Sequence, residues 1–260
     1  MAAGPLEIRR QDGALILTIQ REERRNALDL ATLQAFGDVF RHHLGSEDRA
    51  VVVTGSGSSA FCAGADLKER RNMSLDQVRA QLLRYRSDLV WLSTCPVPTV
   101  AAINGAALGG GLELALLCDL RVAAPAASFA LPETSLGIIP AAGGTQYLPR
   151  IVGAAKAREL ILLGTRIDAA EALRIGLVHR LSAPEQPVLE DALRWLEPVL
   201  KGAPLAQRAA LRALRAADRL DIDAGLEFER GCYEVCLTSE DRLEALAAFA
   251  EKRRPVFKGR

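Results

Sequence analysis

An excess of charge of either sign is what this 260-residue chain most plainly lacks. Its 33 lysines and arginines face 32 aspartates and glutamates, for a net charge of +1 at pH 7. Without a global field there is nothing to hold a polyanion at long range, which argues against nucleic acid and anionic membrane as partners. Any anionic ligand must be met locally. Long apolar runs are also missing. None approaches the roughly 18–20 residues needed to cross a bilayer, and the opening MAAGPLEIRR lacks the basic-then-apolar order of a secretory signal. The expectation is a cytoplasmic protein. Cysteines are few and odd in number (Cys62, Cys95, Cys118, Cys232, Cys236), with no CxxC pair, and the three histidines (His42, His43, His179) form no ligand spacing. Reduced thiols and no metal site are expected. Cys232 and Cys236, four apart on a helical pattern, read as small apolar neighbours in a core. Internal repeats and low-complexity tracts are absent too.

The chain does have enough apolar residues for a full core. With 49% hydrophobic and 25% charged residues it has the balance of a soluble globular protein, and its length suits one large domain or one with a small appendage. Leu6 to Gln20 reads as a hairpin turning at Asp12-Gly13. Leu28, Leu33, Phe36, Val39 and Phe40 have helical spacing and predict a helix over 26–44, stopped by Gly45. AVVVTG at 50–55 and PTVAAI at 98–103 are buried strands, with a Gly/Ser-rich loop from Gly55 to Asp66 between them. Ser74 and Gln77 form a capping-box pattern at the head of a helix that ends near Ser93. Helix GGGLELALLC (109–118) begins in glycines, and short strands follow at 120–124 and 128–132. Helices are expected at 154–163, 168–175 and 187–200. From Pro204 onward the pattern is almost wholly helical. An α/β fold follows, with a boundary near 200: residues 1–200 form an α/β core with the active site, and 201–260 form a helical oligomerisation region.

Two loops and two acids carry the chemistry. Residues 107–113 (ALGGGLE) run from a strand into a helix. Their free N–H groups and lack of side chains suit either an oxyanion or close strand–helix packing. Residues 61–66 (FCAGAD) leave backbone amides accessible as well, so the two loops together suit a carbonyl that gains charge. Glu113 lies in an apolar helix and Glu133 in the segment LPETSLGIIP. A carboxylate in such surroundings needs a partner or a task, and desolvation raises its pKa toward acid–base use. Taken alone, Glu113 suits either catalysis or an ion pair with Arg121 or Arg150, and Glu133 suits either catalysis or a helix cap.

Taken together, Phe61 to Lys68, Asn104-Gly105, Gly109 to Ala115, Cys118 to Arg121, Pro132-Glu133, Gly143 to Gln146, Leu148 to Arg150, Arg25 to Leu28 and Ala248 to Arg253 resemble the crotonase (enoyl-CoA hydratase/isomerase) superfamily over nearly the whole chain. The resemblance implies a spiral of ββα units followed by a helical trimerisation region. It implies an acyl-CoA thioester as substrate, with no cofactor beyond the coenzyme A that the substrate carries, and a homotrimer or dimer of trimers. It places the oxyanion hole at the amides of Ala65 and Gly110. Glu113 then orients and deprotonates the attacking water, and Glu133 supplies the proton to the α-carbon, giving a 3-hydroxyacyl-CoA by hydro-lyase chemistry. Members that isomerise, dehalogenate or decarboxylate commonly lack one of these acids. Ala63, Ala65, Asp66, Leu67, Lys68, Phe249 and Lys252 are the residues the resemblance sets near coenzyme A. Two departures stand out: Ala141 and Ala142 occupy positions where the family often has glycine, and Tyr147 replaces a frequent arginine.

Gly64 to Arg70 (GADLKER), Glu240 to Glu244 and Phe257 to Gly259 resemble the methylglutaconyl-CoA hydratase-like subgroup most. A substrate with a second carboxylate needs a cation in the pocket, and Lys68, Arg70 and Arg71 are all candidates. The same subgroup suggests RNA binding through a lysine-rich helix, but residues 28–44 contain no lysine and only Arg41. General enoyl-CoA hydration stands first and the branched dicarboxylate substrate second.

Overall fold

The computed structural model describes residues 4–260. Among these residues, ten strands divide between two sheets. β1 (Leu6–Gln11) and β2 (Ala14–Ile19) form the expected antiparallel hairpin, with Asp12 and Gly13 both at positive φ as a two-residue turn requires. β3 (Ala50–Gly55), β5 (Thr99–Ile103), β7 (Leu120–Ala123) and β10 (Arg180–Leu181) continue this sheet in parallel beyond β2. The second sheet holds β4 (Ala60–Cys62), β6 (Ala106–Leu108) and β8 (Ser128–Ala130) in parallel, with β9 (Ile167–Asp168) antiparallel at its edge.

Each turn of the chain therefore places one strand in each sheet: β3 then β4, β5 then β6, β7 then β8. The central strands β2, β3 and β5 are mostly apolar and almost wholly buried because both faces are covered. Leu15, Leu17, Val51, Val53, Ala101 and Ile103 face the second sheet together with Phe61, Ala107 and Phe129. The alternate residues Ile16, Val52, Val100 and Val122 cluster with Val188 and Ala192 of the helix Val188–Trp195 and with Leu196 just after it.

Several elements depart from the expected pattern. The first long helix begins at Leu30, not near Asn26, capped by the Asp29 side chain on the Thr32 amide, and it continues as a wider π turn over Val39–His43. Residues 26–28 are withheld from it because Leu28 pairs with the Gly64–Asp66 loop, donating to the Gly64 carbonyl at 2.7 Å and accepting from the Asp66 amide at 3.0 Å. The Gly/Ser loop contains β4, β6 follows directly on Asn104-Gly105, and Gly144–Val152 is a helix that the sequence pattern passed over. Short strands of three residues with no periodicity of their own are held by neighbours rather than by local preference.

The last three helices, Pro204–Ala217, Ile222–Leu237 and Glu240–Ala250, lie outside the sheets. Arg215 ties the first of them to the body by donating to the Cys95 carbonyl at 2.6 Å and pairing with Asp119 at 3.0 Å. No helix among the described residues is long and apolar enough to cross a membrane.

Candidate active site

The three parallel strands of the small sheet end at the same edge, and each delivers one part of a cavity of about 170 Å³. β4 runs into Ala63–Asp66, β6 into Gly109–Gly110, and β8 into Glu133 three residues beyond its end. The carboxyl edge of a parallel sheet is the usual place for a ligand, since no strand continues there and the loops leave backbone groups free.

The loop after β4 is pinned from behind. Asn26 donates through Nδ2 to the carbonyls of Ala60 (2.8 Å) and Ser56 (3.0 Å). The Asp66 carboxylate accepts from the amides of Lys68 and Glu69 and pairs with Arg21 at 2.9 Å. Because Leu28 bonds to the residues on either side of Ala65, the Ala65 amide is left on the opposite edge, where Ala65 lines the cavity. Gly110, first residue of the helix Gly110–Leu116, lines it too, and a methyl added there would lie 3.7 Å from the Ala65 nitrogen. The two residues therefore stand side by side in the cavity wall. The glycines beside Gly110 are needed for different reasons. Gly109 has φ +52°, and a Cβ there would come 2.9 Å from Glu133 Oε1; a Cβ on Gly111 would come 2.0 Å from the Cys62 carbonyl.

Glu113 is only 3% exposed and forms no ion pair among the described residues. The alternative of a structural pair is thereby settled: Arg121 donates to the carbonyls of Leu177 and Cys118, and Arg150 to that of Gln146. Glu113 Oε1 accepts from the amides of Gly144 (2.7 Å) and Ala142 (2.8 Å), and Oε2 from Ala141 at 3.4 Å. Burial raises its pKa, and these amides oppose the rise without cancelling it. Ala141 and Ala142 keep negative φ, the positive value falling on Gly143, so alanine serves here as well as glycine. Tyr147 turns away to bond Ser93 Oγ at 3.1 Å.

Glu133 is 8% exposed and opens a 3₁₀ turn, Glu133–Leu136, but its side chain caps nothing. Its Oε2 is buried without a hydrogen-bond partner. Burial, with the Glu113 charge as a lesser cause, pushes its pKa up to about 7. One carboxylate is therefore held rigidly by amides, and the other is poised to carry a proton near neutrality.

Of the residues expected near coenzyme A, Ala63, Ala65 and Leu67 line the cavity. Asp66 is spent on pinning the loop, and Lys68 is exposed beside it. Phe249 (87% exposed) and Lys252 sit at the end of the last helix and are not part of this cavity's wall. Among the three candidate cations, Arg70 lines the cavity, whereas Lys68 and Arg71 do not. Tyr85, Leu136, Ile138 and Ile139 complete the wall and were not singled out from sequence. Tyr85 sits four residues from Gln81 and four from Leu89, a spacing that marks the buried face of the helix Leu75–Leu89 but not what that face meets.

The profile of the enoyl-CoA hydratase/isomerase family matches residues 9–260. YngF of Bacillus subtilis, whose name carries the same enoyl-CoA hydratase/isomerase description, is 44% identical over 245 residues, 94% of each chain. The mitochondrial methylglutaconyl-CoA hydratase of Mus musculus is 40% identical over 253 residues, covering 95% of this chain and 80% of its own. The crystal structure of an enoyl-CoA hydratase from Bacillus anthracis superposes with a TM-score of 0.95 at 41% identity, covering 98% of this chain and all of that one.

Proposed function

Since the chain belongs to the enoyl-CoA hydratase/isomerase family, we propose that its reaction is the syn addition of water to a 2-enoyl-CoA, giving a 3-hydroxyacyl-CoA. The observation that carries this reading is the pair of buried acids in one cavity, neither committed to an ion pair and each in a different environment. An isomerase needs one group to move a proton between carbons. Adding water needs a base for the water and an acid for the α-carbon, and two carboxyls fill both roles.

The thioester oxygen accepts from the Ala65 and Gly110 amides. As the enolate forms, these donors gain strength where charge develops, inside a largely apolar wall. Glu113, fixed by Ala142 and Gly144, orients the water and takes its proton as the oxygen attacks the β-carbon. Glu133 gives its proton to the α-carbon on the same face. Regeneration transfers one proton back, so the pair ends as it began.

The coenzyme's pantetheine leaves along Ala63 and Leu67. Phe249 and Lys252 meet the coenzyme only if a second copy brings its last helix to this cavity, which fits a trimer built through the C-terminal helices.

Loss of the conjugated thioester absorbance of crotonyl-CoA tests the reading. Fast loss in the wild type, cut at least about a hundredfold by both Glu113→Gln and Glu133→Gln, is expected. A folded, coenzyme-binding protein that leaves the absorbance unchanged overturns it.

A further inference from the structure

Just ahead of β5, Thr94 and Pro96 form one side of an open hollow of about 570 Å³, and the helix Pro204–Ala217 forms another. None of its lining residues belongs to the active-site cavity. Four arginines line it: Arg208, Arg212 and Arg215 on the helix, and Arg219 on the turn that follows. At 3.6 residues per turn the first three fall within an arc of about 60° on one helix face. The opposite face, with Ala206, Ala210, Ala213 and Ala217, lines the apolar hollow toward the helix Ile222–Leu237, so apolar packing does not account for the arginines. The helix Pro204–Ala217 carries no acid, and like charges one turn apart destabilise a helix. Only Arg215 has a counter-charge, in Asp119 at 3.0 Å; Arg208, Arg212 and Arg219 form no ion pair among the described residues. The Nε atoms of Arg208 and Arg215 are buried with no hydrogen-bond partner. Nearby Arg49 adds to the positive charge: burial lowers its pKa, and Arg208 lowers it further against the pull of Asp241. Asp241 itself is committed to the amides of Lys258 and Gly259, at 2.6 and 2.9 Å.

A buried donor left unpaired is costly until a ligand supplies the acceptor. Two of the forks are already held in place. Arg212 lies over the Phe228 ring, its guanidinium carbon 5.2 Å from the centroid, and Arg215 is tied to Asp119 and to the Cys95 carbonyl. Less side-chain freedom is then lost when an anion binds. Four guanidiniums against the single Asp119 carboxylate leave three unopposed. A carboxylate brings one charge, whereas a diphosphate brings several, and its oxygens accept from arginine forks in pairs. We propose that this hollow is a binding site, separate from the active site, for a diphosphate-bearing anion held by Arg208, Arg212 and Arg219 beside the fixed Arg215. Inorganic pyrophosphate and nucleoside diphosphates share this chemistry, and for a nucleotide the half-buried Phe228 ring offers a face for the base. The chain as a whole is nearly neutral, so it is this local surplus that would draw such a ligand.

Calorimetric titration of the full chain with inorganic pyrophosphate and with ADP tests the site, each run with and without one equivalent of butyryl-CoA per chain to fill the acyl-CoA site. Saturable pyrophosphate binding that survives butyryl-CoA is expected. Arg208→Gln, Arg212→Gln and Arg219→Gln should each weaken it by about tenfold, the worth of one charge-assisted pair, and leave the affinity for butyryl-CoA unchanged. Arg212 and Arg219 are exposed, so their variants should fold even if Arg208→Gln does not. Equal affinities for the two probes assign the site to the diphosphate alone, and tighter ADP binding that Phe228→Leu removes assigns it to a nucleotide. No saturable heat from either probe, or binding that the Arg212 and Arg219 variants both retain, overturns the site. Binding that butyryl-CoA displaces overturns it as a site of its own. A smaller sedimenting mass in Arg212→Gln, without anion binding by the wild type, gives the hollow to the acids of a second copy and overturns it as well.

Discussion

A buried carboxyl without a hydrogen-bond partner weakens the fold that holds it once it ionises, and Glu133 carries this cost. Its carboxyl is pushed from 4.5 up to about 7 by burial. Below pH 4.5 the folded and unfolded chains are both protonated there and nothing is lost. As pH rises through 7 the fold must hold a buried charge that the unfolded chain exposes to water, so stability falls across that window by roughly 3 kcal/mol. Glu133→Gln should therefore melt above the wild type at pH 8 and level with it at pH 4.5. Equal melting temperatures at pH 8 would refute the raised ionisation. Activity runs in the same direction: kcat/KM should fall about tenfold per pH unit above 7 as the free protein loses its acid, and a flat profile to pH 9 would assign the proton elsewhere.

At the scale of an element, the loop after β4 and the helix Gly110–Leu116 act as one unit because nothing fits between them. Gly111→Ala would drive a methyl to 2.0 Å from the Cys62 carbonyl. The atom struck is backbone and cannot swing aside as a side chain would, so the loop must shift relative to the helix. Turnover should fall about a hundredfold or more, the usual effect of losing one such donor, with a clear loss of stability. Gly110→Ala, whose methyl meets nothing closer than 3.6 Å, should fold as well as the wild type, and equal destabilisation by the two would contradict this geometry. The helix Leu75–Leu89, which carries Gln81 and Tyr85, starts in a full capping box in which Ser74 and Gln77 each satisfy the other's backbone. Ser74→Ala should cost about 1 kcal/mol in denaturant unfolding.

Across the whole molecule, the C-terminal helices are the part that one chain leaves unfinished. Leu214, Leu226 and Tyr233 line a hollow between the helices Pro204–Ala217 and Ile222–Leu237, and Leu243, Leu246 and Phe249 stand exposed on the next helix. Apolar surface of this extent is ordinarily covered by another subunit. Sedimentation should give a mass three or six times the 28.0 kDa of one chain, and Leu214→Asp should shift it toward smaller species. A wild-type monomer at micromolar concentration would remove the trimer and, with it, any role for Phe249 and Lys252 at the coenzyme.

Much was legible from residues alone. The hairpin, β3, β5, the capped helix and the three terminal helices follow from local signals: a two-residue turn, uninterrupted apolar runs and a capping box. Glu113 and Glu133 were conspicuous because charge in an apolar setting is expensive, and the motif set around them identified the family. Three-residue strands such as β4 and β6 carry no such signal, since their neighbours in the sheet hold them. Nor could the sequence decide between an ion pair and a free acid at Glu113, or choose among Lys68, Arg70 and Arg71. Charge and spacing fix what a residue is able to do; only the convergence of three parallel strand ends, far apart in the chain, decides what it faces. Tyr85 is the clearest case, an aromatic on an ordinary helical stripe that only the fold makes part of the cavity wall.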